Sequence, residues 1–200
     1  MQIINIELTG YRTSIERASQ MIMAGQIVIA PFDTVYGMIA DPRDEEALAK
    51  INQLKGRPET KTLGVAVDSI QTLTKITDIN QENLEFIRER IPGRYSFILN
   101  DNPANMISNQ CKRGETISCR IPDSDLIIAI AKASGGIIAQ TSANKSGLPN
   151  CYSLTEFLAQ FSKEELDQID LFIDGGTLQM SAPSELWNLT GNQPEKIERS

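Results

Sequence analysis

The strongest constraint on the fold of this 200-residue chain is the way short apolar runs recur along it. Some are divided by amphipathic helices and some by turns alone. The runs fall at residues 3–8, 26–31, 63–67, 95–99, 116–121, 136–140 and 171–173, with shorter candidates at 185–189 and 196–198. Between them, apolar residues at helical spacing mark helices over 14–24, 44–54, 83–91, 124–133, 154–161 and 163–168. The first helix takes Thr13 or Ser14 as its cap and Gly25 as its stop. Parallel strands need a long crossover, usually a helix, whereas strands joined by short turns pair antiparallel. The pattern therefore predicts an α/β domain with one twisted mixed sheet and flanking helices. No repeat, low-complexity tract or linker interrupts it, so residues 1–200 are expected to form a single domain.

Composition narrows the chemistry further. There is no histidine, which removes histidine-based triads, histidine metal sites and imidazole acid–base catalysis. Cys111, Cys119 and Cys151 are odd in number and lack metal-ligand spacing, so neither a disulfide scaffold nor a zinc site is expected. A net charge of −7 disfavours broad binding to nucleic acid, which needs a phosphate-neutralising surface. A local basic site for a small polyanion remains compatible with it. The apolar runs are too short to span a membrane, and the first residues carry no basic region ahead of an apolar one, as a secretory signal would; the cysteine usage gives the expectation of a cytoplasmic location. Neither a GxxxxGK[ST] loop nor a GxGxxG turn occurs, so any nucleotide site is built differently.

Four polar clusters accompany the apolar runs and helices. Gln140-Thr141-Ser142-Ala143-Asn144-Lys145-Ser146-Gly147 offers small hydroxyls and amides where an open α/β sheet binds ligands, or forms a plain turn. Lys55, Arg57 and Lys61 follow a helix; they suit a polyphosphate, although a charge cluster of this kind is more often a solvated helix end that favours the macrodipole. Period-two alternation puts Thr116, Ser118 and Arg120 on one strand face and Ile117, Cys119 and Ile121 on the other. Arg120 then grips an anionic ligand group or makes a salt bridge. Pro31-Phe32-Asp33-Thr34-Val35-Tyr36-Gly37 reads as a strand-to-loop turn that exposes or caps with the Thr34 hydroxyl.

Taken together and in this order, these clusters resemble the YrdC-like family of threonylcarbamoyl-AMP synthases. Residues 31–37 match its P-T-[DE]-T-V-Y-G element, 55–58 its K-x-R-P, 116–122 its T-[VI]-x-x-R-[IV]-P and 141–147 its [ST]-S-A-N-x-S-G. The tail, from Pro183 and Ser184 to Arg199, is similar to the family's closing segment. The resemblance implies a concave cavity in which L-threonine, bicarbonate and ATP form threonylcarbamoyl-AMP for tRNA threonylcarbamoyladenosine. It also implies a short form without an extra C-terminal domain, and hand-off to the tRNA threonylcarbamoyl-transfer machinery. Carried onto this chain, it gives Lys55 and Arg57 the catalytic role. The ATP contacts become Lys55, Arg57, Lys61, Thr116, Ser142, Asn144 and Arg199. The threonine contacts become Thr34, Arg120, Ser142 and Ser184. No metal ligand is implied in the protein; Mg²⁺ is expected on the ATP phosphates.

Several positions depart from the family pattern. Phe32 replaces a threonine, Ala66 stands where long forms carry histidine, and Met38-Ile39 replaces Leu-Gly. Residues 91–97 read closer to the YciO-like branch, which gives the alternative expectation of an RNA-binding or ribosome-maturation protein without synthase activity.

Overall fold

In the computed structural model residues 1–57 and 61–198 are described. The strands are β1 (Gln2–Asn5), β2 (Val28–Pro31), β3 (Tyr36–Ala40), β4 (Gly64–Val67), β5 (Thr77–Asp78), β6 (Tyr95–Asp101), β7 (Lys112–Arg113), β8 (Thr116–Arg120), β9 (Ile137–Ser142), β10 (Leu171–Asp174), β11 (Glu185–Asn188) and β12 (Glu195–Ile197). The helices are α1 (Ile6–Thr9), α2 (Tyr11–Met23), α3 (Glu45–Leu54), α4 (Ile70–Ile76), α5 (Gln81–Arg88), α6 (Asp125–Ala133), α7 (Leu154–Leu158) and α8 (Lys163–Leu166). One sheet runs β1-β10-β2-β3-β9-β4-β8-β6-β11-β12, with β5 on β6 and β7 on β8. It is mixed, as the spacing of helices and turns implied: β10 pairs parallel with β1 and β2, β4 with β8 and β6 with β11, while β3 and β9 run antiparallel to both neighbours.

Alternation along the central strands builds two cores. Val65, Val67, Phe97, Leu99, Ile117 and Cys119 face one way, into a core closed by Leu48 and Ile51 of α3, Leu73 of α4 and Ile87 of α5. Ala66, Ile138, Ile39 and Ala30 face the other way, beneath Ala18 and Ile22 of α2 and Leu126, Ile127 and Ile130 of α6. Each large apolar side chain so buried contributes about 1.5–3 kcal/mol. A one-residue slip of β8 would turn Thr116, Ser118 and Arg120 into the larger core, so its register is strongly fixed. On the second face, the alternate positions that α2 and α6 do not cover carry Gly64, Ser96, Thr116 and Ser118. That uncovered stretch is the floor of a cavity.

Local chemistry shifts several boundaries. The first strand stops at Asn5 rather than continuing to residue 8, because the Asn5 Oδ1 accepts from the backbone of Glu7 (3.0 Å) and Leu8 (3.2 Å) and starts α1. The next helix begins at Tyr11, not at Ser14. Gly10 is its cap, and the Ser14 hydroxyl donates back to the Gly10 carbonyl at 2.9 Å, inside the first turn. Residues 31–37 are not a strand running into a loop but the bend of a hairpin, with Ala30 opposite Gly37 and Pro31 opposite Tyr36. β9 runs two residues further than expected and carries Thr141 and Ser142 in its last positions. α4 and β5 lie in a stretch for which the apolar pattern gave no element.

Candidate active site

The cavity has a volume of about 560 Å³, and its floor is read most easily as rows across the sheet. The first row holds Ser142 of β9 and Thr116 of β8. In the second, Gln140 stands opposite Gly64, and Ser118 opposite Ile98. Because Val65 pairs with Cys119 in the parallel ladder, Gly64 falls beside Ser118. The third row brings Ala66 beside Arg120, with Ser96 and Leu186 beyond.

An arginine anchors each end. Arg57 leaves the end of α3 and reaches the first row, donating from Nη1 to the Thr62 carbonyl (3.1 Å) and from Nη2 to the Thr141 hydroxyl (2.7 Å). Its Nε is buried with no hydrogen bond among the described residues. Burial holds its guanidinium below the ordinary arginine pKa. Arg113 of β7 joins it on the cavity wall; it is paired in register with Thr116, whose hydroxyl donates to the Arg113 carbonyl at 2.9 Å.

At the other end Arg120 meets Asp33, which sits in the β2–β3 bend. The Arg120 Nη2 donates to both carboxylate oxygens at 2.7 and 2.6 Å, and the two side chains are 6% and 5% exposed. The salt bridge that sequence allowed for Arg120 is therefore present, and it aims the guanidinium along the cavity wall beside Thr34. Phe32 fills the space beneath. Its ring centroid is 5.9 Å from the Arg120 Cζ, and a Cβ on Gly37 would come within 2.6 Å of the ring, which is why glycine stands there.

Lys55 has a different place. It is 3% exposed, and its ammonium donates to the Ser142 carbonyl and, at 2.5 Å, to the Asn144 carbonyl. Its own carbonyl accepts from Ser146 at 2.9 Å. Burial pushes the Lys55 amine down to about 7, the charges of Arg57 and Lys61 add to this, and Cys151 opposes it. Asn144 is likewise turned inward, donating to the carbonyls of Lys145 (3.0 Å) and Leu148 (2.6 Å). Lys55 and Asn144 thus hold the turn after β9 from behind.

Of the residues singled out from sequence, Thr34, Arg57, Thr116, Arg120, Ser142 and Ser184 share the cavity wall. Lys55 and Asn144 stand behind it, and Lys61 is exposed away from it. Arg199 lies outside the described residues. Sequence reasoning passed over Arg113; Gln140 and Thr141 lie in the stretch it singled out but were given no ligand contact of their own. Arg113 precedes a turn whose strands were not recognised as a pair, whereas Gln140 and Thr141 sat at the presumed end of a strand. Ala66 is fully buried in the smaller core, clear of the wall. Among the described residues no carboxylate lines the cavity, no cluster of three metal-ligating side chains occurs, and no helix is long and apolar enough to cross a membrane.

A cavity walled by arginines, hydroxyls and amides on one face of a mixed sheet defines an α/β protein suited to a small polyanion. A family model named Sua5_yciO_yrdC and described as "Telomere recombination" matches residues 20–200, and the chain belongs to that family. Among its relatives, a threonylcarbamoyl-AMP synthase of Vibrio parahaemolyticus is 30% identical over 176 residues, 86% of this chain and 91% of the relative. One of Bacillus subtilis is 30% identical over 190 residues; the match spans 94% of this chain but only 54% of that relative. The crystal structure of P. abyssi Sua5 complexed with L-threonine superposes with a TM-score of 0.86 at 28% identity, covering 98% of this chain and 56% of that one. E. coli YciO superposes with a TM-score of 0.82 at 22% identity, covering 98% and 94%, a likeness of fold alone.

Proposed function

We propose that the chain is a threonylcarbamoyl-AMP synthase that joins L-threonine, bicarbonate and ATP. The observation that carries this reading is the pair of arginines at opposite ends of one cavity, with a row between them opened by Gly64. Thr116 and Arg120 are four residues apart on β8, about 13 Å at strand rise, which leaves room for an amino acid and a one-carbon unit between its ends. Arg120, held by Asp33, takes the threonine carboxylate, with Thr34 and Ser184 beside it. Arg57, Arg113, Thr116 and Ser142 take the phosphates. Lys55 and Asn144 act as positioning residues that hold the turn after β9.

In the overall reaction the threonine nitrogen bonds to the bicarbonate carbon, and one bicarbonate oxygen leaves as water. A second oxygen bonds to the α-phosphorus of ATP as pyrophosphate departs. Fixed cations stabilise charge that develops at the phosphorus, and the work is positioning rather than proton transfer by histidine. A wall of cations, hydroxyls and amides fits ATP phosphates directly, so Mg²⁺ would be held by the phosphates and water. The product is an activated intermediate for tRNA threonylcarbamoylation in the cytoplasm. An RNA-binding role draws less support, because the basic cluster lines a concave cavity wall on a chain of net charge −7.

The test is direct. The purified chain is expected to release pyrophosphate and form an AMP-linked product only when threonine, bicarbonate and Mg-ATP are all present. No product at high protein concentration would overturn the reading.

A further inference from the structure

The middle row of the cavity floor carries side chains that no part of the site described so far uses. Gln140 lies across Gly64: a Cβ on that glycine would meet the Gln140 Nε2 at 2.7 Å and its Cδ at 3.7 Å. The amide is therefore laid over the floor, in space that any other residue at position 64 would occupy. On the far side of Gly64, the Ser118 hydroxyl belongs to the same row. Both side chains are half-buried on the cavity wall, and neither makes a hydrogen bond among the described residues. By contrast, Arg57, Thr116 and Arg120 at the two ends of the floor all have protein partners.

The position of the row says what would use it. On one side stand Arg57, Arg113 and Thr116, and on the other Arg120. The one-carbon unit of the proposed reaction must lie between an amino-acid nitrogen and an α-phosphorus, hence between those two ends. We propose that Gln140 and Ser118 form the subsite for bicarbonate and for the carbamate carboxylate it becomes. This rests on the synthase reading given above. The chemistry matches: bicarbonate has anionic oxygens that need N–H or O–H donors, and one O–H that needs an acceptor. A carboxamide supplies two donors and an acceptor, and a serine hydroxyl supplies either. Neither is charged, so the subsite holds a small anion without competing with the arginines for the carboxylate or the phosphates. Gly64 leaves the room that the Gln140 amide occupies.

The experiment compares the wild type with Gln140→Ala, Gln140→Glu and Ser118→Ala, each first shown by thermal melting to fold. Hydrogen bonds to a charged group set the expected scale. In steady state Gln140→Ala should raise the KM for bicarbonate about tenfold to a hundredfold, while the KM values for threonine and ATP stay within about threefold. Gln140→Glu keeps the size but presents a carboxylate to an anion, and should lose more than Gln140→Ala. Ser118→Ala should lose less. A merely structural role would move all three KM values together or spare Gln140→Glu, and either result overturns the subsite.

A second measurement needs no turnover. Line broadening of [¹³C]bicarbonate, read with threonine and a non-hydrolysable ATP analogue present, should be saturable in the wild type and absent in Gln140→Ala. Equal broadening in both, or none in the wild type, overturns the subsite. Broadening that disappears with Gln140→Ala in a chain that releases no pyrophosphate would support the subsite while overturning the reaction, so the two failures are distinguishable.

Discussion

Lys55 and Arg57 are two residues apart in one loop, yet they end on opposite sides of the same wall. Arg57 reaches the cavity and commits its guanidinium to Thr141 and Thr62, at the end of the floor proposed for the phosphates. Lys55 is buried behind β9, and its ammonium is committed to the carbonyls of Ser142 and Asn144. One cation is placed to meet an anion; the other holds in position the turn that carries Ser142. Side chains of like charge in one short motif therefore do different physical work. The difference lies in reach and donors: a compact ammonium satisfies two converging carbonyls, whereas a long planar fork can grip a hydroxyl and still face a ligand.

Removing each cation sharpens the contrast. Arg57→Ala is expected to lower turnover about 10²–10³-fold, the scale for loss of one fixed donor at a developing charge, with a stability change near or below 1 kcal/mol. Initial rates and urea denaturation measure the two quantities. Lys55→Met keeps the buried stem but leaves two carbonyls without their donor, which should cost about 2–4 kcal/mol of stability. If Lys55→Met melted like the wild type and lost only ATP affinity, the ammonium would be a phosphate ligand and the contrast would fail.

The pH dependence probes the same amine. Lys55 titrates near 10.5 when unfolded and about 7 when folded, because burial disfavours its charge. Between those values the unfolded chain holds a proton that the folded chain lacks, so unfolding takes one up and rising pH favours the folded state. Below pH 7 both states are protonated and the slope vanishes. The stability of the wild type relative to Lys55→Met should therefore climb from pH 7 to pH 9, by at most about 1.4 kcal/mol per pH unit. A difference that stays flat would mean that the two carbonyls keep the ammonium charged in the fold.

How far the sequence could be read follows from which contacts are local. The alternation of Thr116, Ser118 and Arg120 against Ile117 and Cys119 is a property of five adjacent residues, and it places one wall of the cavity correctly. The mixed sheet followed from where helices do and do not separate strands. What could not be read is long-range or concealed. Asp33 finds Arg120 across 87 residues and Arg57 finds Thr141 across 84, and neither spacing has a local signature. β3 was hidden because Gly37 and its neighbours look like turn residues; it becomes a strand only when β2 and β9 pair on either side. Gln140 looked like the last residue of a strand, and its role depends on Gly64 in another strand.

Lys61 supplies the smallest expected effect and the third fate of the same loop. It is exposed, it stands off the cavity wall, and among the described residues it has no ion pair. Its charge acts on a bound nucleotide only through solvent, where an exposed cation contributes between 0 and about 1 kcal/mol and salt screens it. Lys61→Ala should therefore raise the KM for ATP no more than about threefold, with the difference shrinking as salt rises from about 0.05 to 0.5 M. Its melting temperature should match the wild type. A loss as large as that of Arg57→Ala, insensitive to salt, would mean that Lys61 closes directly onto the phosphates when ATP binds. The division of this loop into a wall cation, a supporting cation and a solvated one would then fail.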